Sequence, residues 1–210
     1  MARARRKGSD QLVKTISNAM ELIPYWVGYK HARYWRHPLA EAAVVAELRE
    51  SLLARCRDHE TVLCEVSYLD LGFKSAPKGA GRPLQADLVI AGKGIKKKRG
   101  KTIAVIEVKR GDVIDTAAQL DLAYMKQLRK DTARRFRTFL VLVTESGRPK
   151  HGLTERGTAD RGFAIEGFPG VFVRRVVRAI GHAAEYEDGL PENIASDKQS
   201  QHWAVLYEVE

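Results

Sequence analysis

Apolar positions along this chain recur first at helical and then at strand spacing. Leu12, Ile16 and Met20 share one helical face, and Ser9 or Asp10 suits the N-cap before them, so a helix is predicted over 9–22. Pro24 ends it, because the residue before a proline is pushed out of helical geometry. Pro38 then opens an amphipathic helix over 39–57, with Val44, Val45, Leu48 and Leu52 on its apolar face. Residues 61–71 are β-branched and apolar, predicting a strand closed by Gly72. Residues 85–91 and 102–109 predict two more, joined by a short basic turn as in an antiparallel meander. A helix capped by Asp115 or Thr116 follows over 115–133. Residues 137–144 are a near-continuous apolar run, as a strand buried on both faces requires, and its place after a helix predicts a parallel crossover. Beyond it, 145–161 reads as a polar, glycine-rich loop. A strand or helix is predicted around 171–180, 185–201 is polar, and 202–209 closes the chain as a strand. The order predicts an α/β fold with a central mixed sheet flanked by helices, preceded over 1–37 by a basic arm (1–8), a helix and an aromatic/basic segment. Residues 38–210 form the main domain.

Composition narrows the function classes. No stretch reaches the ~20 apolar residues of a membrane span. The basic start of the chain has no apolar core behind it, so no secretory signal is expected. Cys56 and Cys64 suggest neither a disulfide framework nor a zinc site, and a reducing, cytoplasmic setting is expected. Lys and Arg number 36 against 26 acidic residues, a formal net charge of +10. Such a chain suits a polyanionic partner, since each phosphate contact releases condensed counterions.

The chemistry concentrates at the end of the third predicted strand. Alternation puts Glu107 and Lys109 on one face and Val108 on the other. Asp87 interrupts an otherwise apolar run in the neighbouring strand. Two carboxylates and an ammonium meeting on one sheet face are costly unless compensated, and a hard divalent cation such as Mg2+ compensates them through oxygen ligands. Asp87 and Glu107 are the candidate ligands, with help from the Ile106 or Val108 carbonyl. Lys109 would orient or deprotonate a water, or stabilise charge on a phosphate.

Asp87, followed one hairpin later by Glu107-x-Lys109, resembles the signature of the PD-(D/E)xK nuclease superfamily, the restriction-endonuclease-like fold. The likeness spans roughly residues 38–145, and the predicted order of helix, three-strand meander, helix and strand is similar to the family core. Ala86 stands where the family often has proline. The resemblance implies a Mg2+-dependent DNA endonuclease, with Mn2+ able to substitute, and a homodimer or a larger complex as its assembly. It also implies an added acid from the first core helix. Glu41 lies on that helix's apolar stripe, whereas Glu47 and Glu50 point elsewhere; a first-turn acid that merely complements the helix dipole is the other reading. Tyr124 and Gln127, at i and i+3, resemble an accessory pair in some branches; an aromatic core contact and a solvated amide are equally consistent with the spacing.

The turn holding Lys93, Lys96, Lys97, Lys98 and Arg99 imitates a phosphate-binding loop but has Ile95 where the first glycine is required, and a strand rather than a helix follows. It reads instead as a basic hairpin for a nucleic-acid backbone, or as a solvated turn. Tyr25, Trp26, Tyr34 and Trp35 pack the first helix on the core in the favoured reading; in the other, these aromatics stack on bases while the interleaved basic residues grip phosphates. Two alternatives accompany the nuclease reading: a nucleic-acid-binding module without catalysis, and a subunit of a larger nucleoprotein complex. The histidines show no metal spacing, and no covalent nucleophile motif occurs.

Overall fold

A computed structural model of the chain describes residues 2–33, 40–74, 84–94, 100–111, 114–144, 158–181 and 200–210. Three helices come first: α1 (Ala2–Met20), α2 (Ile23–Arg33) and α3 (Glu41–Leu53). The meander follows as β1 (Glu60–Ser67), β2 (Gln85–Gly92) and β3 (Thr102–Arg110). Then come α4 (Thr116–Asp131), β4 (Arg137–Thr144), β5 (Thr158–Ile165), β6 (Phe168–Gly181) and β7 (Ser200–Val209). The strands form one seven-stranded sheet in the order β1-β2-β3-β4-β7-β6-β5. Only β3 and β4 pair in parallel, through the α4 crossover; the other pairs are antiparallel. The chain is thus α/β with a mixed sheet flanked by helices, as the pattern predicts.

Strand alternation divides the core between the two faces of the sheet. Ile106, Val108, Val141 and Leu206 join Ile16, Met20, Val27, Val44 and Leu48 of α1–α3 on one face. Leu140, Leu142, Val205 and Tyr207 meet Ala118, Leu122 and Met125 of α4 on the other. The central strand β4 is therefore buried on both faces, and each fully buried Leu or Val there contributes about 1.5–3 kcal/mol. The first two helices pack into the same core as α3 rather than standing apart from it.

Local departures from the sequence reading have local causes. The basic arm expected over 1–8 is helical, and Ser9 and Asp10 lie inside α1 rather than capping it. Alanine, arginine and lysine favour helix, and Gly8 alone costs only about 1 kcal/mol. Pro24 follows the first residue of α2, where its missing N–H costs nothing, so it helps begin a helix as well as ending one. On α2, Ile23 and Val27 take the core face; Tyr25 and Tyr29 are left exposed, contrary to the packing expected of Tyr25. Trp26 does pack against the core, with the Lys30 ammonium 5.8 Å from its ring centre. Tyr34, Trp35 and Pro38 lie outside the described residues. The predicted 39–57 helix is shorter, closing at Leu53. The predicted 61–71 strand stops at Ser67, because residues 68–73 curl into a turn in which Phe73 N–H bonds to the Tyr68 carbonyl and Gly72 adopts φ +100°. Residues 158–161, expected as loop, begin β5, and the undecided element around 171–180 is strand β6.

One charged cluster ties the central strands together. Glu208 of β7 is buried between Arg137 of β4, at 2.6 and 2.7 Å, and Arg174 of β6, at 2.5 Å. Burial alone would raise its carboxyl; the two guanidiniums more than offset that and hold it below the usual range. Its contribution is therefore present above the unfolded carboxylate value and lost as pH falls through the depressed folded one. Glu208→Ala would leave two guanidiniums facing an emptied position, and we expect a loss of about 3–5 kcal/mol in urea unfolding. An unchanged midpoint would contradict this account of the cluster.

Candidate active site

The site forms where the sheet splits. β1 and β2 stay paired down to Ser67↔Gln85, and β3 and β4 up to Arg110↔Val143, but pairing between β2 and β3 ends at Leu88↔Ile106. Past that point the Val108 N–H has no ladder partner on β2. The Asp87 carboxylate supplies one, accepting that N–H at 2.7 Å. A side chain thus completes the sheet across the fork, and it brings an acid to the side of Glu107. β1 also deforms here: Glu65, between the pairs Cys64↔Leu88 and Val66↔Ala86, has φ +52°, a left-handed conformation that costs a residue with a Cβ about 1–3 kcal/mol.

At the fork the Asp87 and Glu107 carboxyls are close enough for each to act on the acidity of the other. Glu107 is 4% exposed, and the phenol of buried Tyr68 donates to its Oε1. Burial raises Glu107 well above the ordinary carboxylate range, and the charge of Asp87 raises it further. Burial also raises Asp87, against the lowering effects of the Val108 N–H, the Glu107 contact and Lys109. Of the two carboxyls Glu107, the more deeply buried, is the more strongly affected.

Lys109 sits between two further acids. Its ammonium is 3.1 Å from Glu41 Oε1 and 3.1 Å from Asp121 Oδ2. Glu41 comes from the helix layer on one face of the sheet and Asp121 from α4 on the other. Burial works against the ammonium; Asp121 and Glu41 override it and hold Lys109 above its ordinary value, firmly charged. Glu41 Oε2 also accepts the Arg110 N–H at 3.3 Å. As placed, Glu41 holds the lysine and the Arg110 N–H together.

The structure therefore brings Asp87, Glu107, Lys109 and Glu41 together. It does not bring in Gln127, which bonds to Asp131 at 2.8 Å, and Tyr124 packs edge-to-face on Phe73. Lys93 is exposed beyond the end of β2 remote from Asp87, roughly 20 Å along the strand at 3.3 Å per residue. Lys93 thus stands at the far end of β2 from the fork; Lys96, Lys97, Lys98 and Arg99 fall outside the described residues. Two participants escaped the sequence reading. Asp121 carried the same signal that singled out Glu41: it lies three residues after Ala118 and four before Met125, both on the buried stripe of α4. Tyr68 carried only the general rule that a buried phenol needs a hydrogen-bond partner.

Among the described residues no three His, Cys, Asp or Glu side chains stand converged around a metal position. The donor chemistry nevertheless fits a hard divalent ion. Asp87 and Glu107 offer carboxylate oxygens side by side, burial disfavours the charge of both, and a bound cation would relieve that cost. A groove of about 650 Å³ between α3 and β1 reaches Asp87, with Glu41, Glu50, Glu65 and Arg49 as the other charged residues of its lining.

Because folding raises Glu107, its stabilising contribution is full below about pH 4.3, the unfolded carboxylate value, and is lost as pH rises toward the raised folded value. Glu107→Gln keeps an acceptor for Tyr68 and gains a donor to Asp87. In EDTA near pH 8 we expect this variant to be more stable than the parent by about 0.5–2 kcal/mol, as when functional sites are relieved of strain. A differential melting curve across pH 4–9 should show a flatter pH slope for it. A variant less stable than the parent at pH 8 would refute this account of the Glu107 carboxyl.

No family model, no curated protein and no solved structure matches the chain, so the chemistry of this site is read from its own geometry.

Proposed function

We propose that this chain is a divalent-metal-dependent nuclease of restriction-endonuclease-like architecture, hydrolysing phosphodiester bonds in DNA. One observation carries the reading: the Asp87 carboxylate is held against β3 by the Val108 N–H at a fork in the sheet, beside buried Glu107 and with the Lys109 ammonium two residues further along the same strand. The PD-(D/E)xK-like spacing supports it, as does the order of α3, the β1–β3 meander, α4 and β4. The net charge of +10 suits a polyanionic substrate.

In this reading Asp87 and Glu107 hold Mg2+, for which Mn2+ can substitute. The bound ion supplies Lewis acidity at the phosphate and a water acidic enough to attack near neutral pH. Lys109 is already protonated and is kept so by Asp121 and Glu41. It therefore serves as a fixed positive charge for the phosphoryl oxygens as negative charge builds there, rather than as the base that takes a proton from water. Glu41 and Asp121 hold that charge in place. The acidic groove beside Asp87 repels a phosphate backbone, so the nucleic acid approaches from the side of the Lys109 ammonium.

The test is cleavage of supercoiled and linear DNA with Mg2+ or Mn2+. Asp87→Ala should abolish cutting, and Lys109→Ala should slow it by about 10²–10³, the scale of losing one transition-state charge donor. Asp121→Asn should reduce the rate by about tenfold or more while leaving Mn2+ binding unchanged, because it acts on the lysine and not on the metal. Cutting that survives Asp87→Ala would sink the assignment. DNA binding at low salt without any cleavage would favour a binding module lacking catalysis.

A further inference from the structure

Tyr68 belongs to no element that the nuclease motif uses, yet it touches the most buried acid of the site. It stands just past the end of β1, where its N–H bonds to the Leu84 carbonyl at 2.9 Å. β2 lies between β1 and β3 in the sheet, so the ring must cross β2 to reach Glu107. Ala86 of β2 belongs to the same buried apolar cluster as Tyr68. Phe73 braces the ring edge-to-face, with centroids 5.7 Å apart, and the left-handed Gly72 lets the turn bring Phe73 back onto Tyr68. The ring is 3% exposed. A whole turn of chain is organised to deliver one phenol O–H to Glu107 Oε1.

A carboxylate with one oxygen taken by a fixed donor has lost its freedom to rotate and to chelate. We propose that Tyr68 is a positioning residue for Glu107. Its O–H occupies Oε1 and locks the carboxylate, so that Glu107 binds a divalent cation through one oxygen only. The inference rests on the metal-dependent reading of the site and adds to it a residue that sets metal affinity without touching the metal. Outer-shell partners of this kind hold a ligand in its productive orientation, and their loss typically weakens metal binding 10–100-fold.

The experiment is calorimetric titration of the full chain with MnCl2, comparing the parent with Tyr68→Phe, alongside melting curves in EDTA. The expected result is Mn2+ binding about 10–100-fold weaker in a variant that still melts cooperatively. Replacing Tyr68 with 4-aminophenylalanine restores a donor at the same place and should return the affinity to within about threefold of the parent, which a merely space-filling role would not require. Should Tyr68→Phe fail to fold, 4-fluorophenylalanine fills the hydroxyl's volume without donating and takes its place in the comparison. A folded variant without the donor that binds Mn2+ as tightly as the parent would overturn the proposal. A parent that binds no Mn2+ overturns the nuclease reading itself, and the two failures are told apart by the parent's titration alone.

Discussion

The hydrogen bond from the Val108 N–H to the Asp87 carboxylate is the constraint on which the rest of this site depends. Beyond Leu88 and Ile106 the two strands of the hairpin no longer pair, and an orphaned N–H in the interior costs about 1–3 kcal/mol. The side chain of Asp87 removes that cost, and in doing so fixes a carboxylate against β3. Everything else follows from strand geometry. Glu107 precedes Val108 and Lys109 follows it, so both project to the face that Val108 does not use. The fork leaves the end of β3 open to helices on both sides, and Glu41 and Asp121 reach Lys109 from those two directions.

The fork also explains why the cluster is electrostatically unfinished. Glu107 is buried too deeply for solvent to stabilise its charge, and the charged group that acts on it most strongly is another acid. Protonation is the answer available to the protein alone; a divalent cation is the answer available when one binds. The same burial that makes the site unfavourable to the empty protein strengthens its attraction for a cation, because charges interact more strongly where water is excluded. Lys109 is in the opposite situation. Two carboxylates satisfy it, so its charge persists over the whole working pH range and its position is set before any substrate arrives.

The legible and illegible parts of this molecule separate along a physical line. Whatever depends on neighbours in sequence could be read: the alternation that pairs Glu107 with Lys109, the Asp115 cap that starts α4, and the unbroken apolar run that makes β4 central. Whatever depends on packing between distant segments could not. Tyr68 meets Glu107 across an intervening strand, and nothing local to either residue announces it. Asp121 was within reach, since its place beside the buried stripe of α4 marks an acid that must find a partner inside. The likeness of Tyr124 and Gln127 to an accessory pair drew attention to the right helix but to the wrong turn of it. The extent of α1 was missed for a different reason: a basic run reads as solvated chain until the helix propensity of its alanines, arginines and lysine is weighed.

Two buried charged clusters occur among the described residues, and comparing them argues for which one performs chemistry. At Glu208 two guanidiniums close on one carboxylate, its oxygens are fully engaged, and its acidity is strengthened relative to an ordinary carboxylate. That is how a structural ion cluster is built: each buried charge is matched, and nothing is left for a ligand to do. At the fork the proportions are reversed. Acids outnumber the single ammonium, Asp87, Glu107 and Asp121 are all less acidic than ordinary carboxyls, and a groove reaches Asp87 from outside. A protein under selection for stability alone has no use for that imbalance, since replacing one carboxylate with an amide would relieve it. Its presence at the fork between β2 and β3 supports the proposal that a cation completes the site.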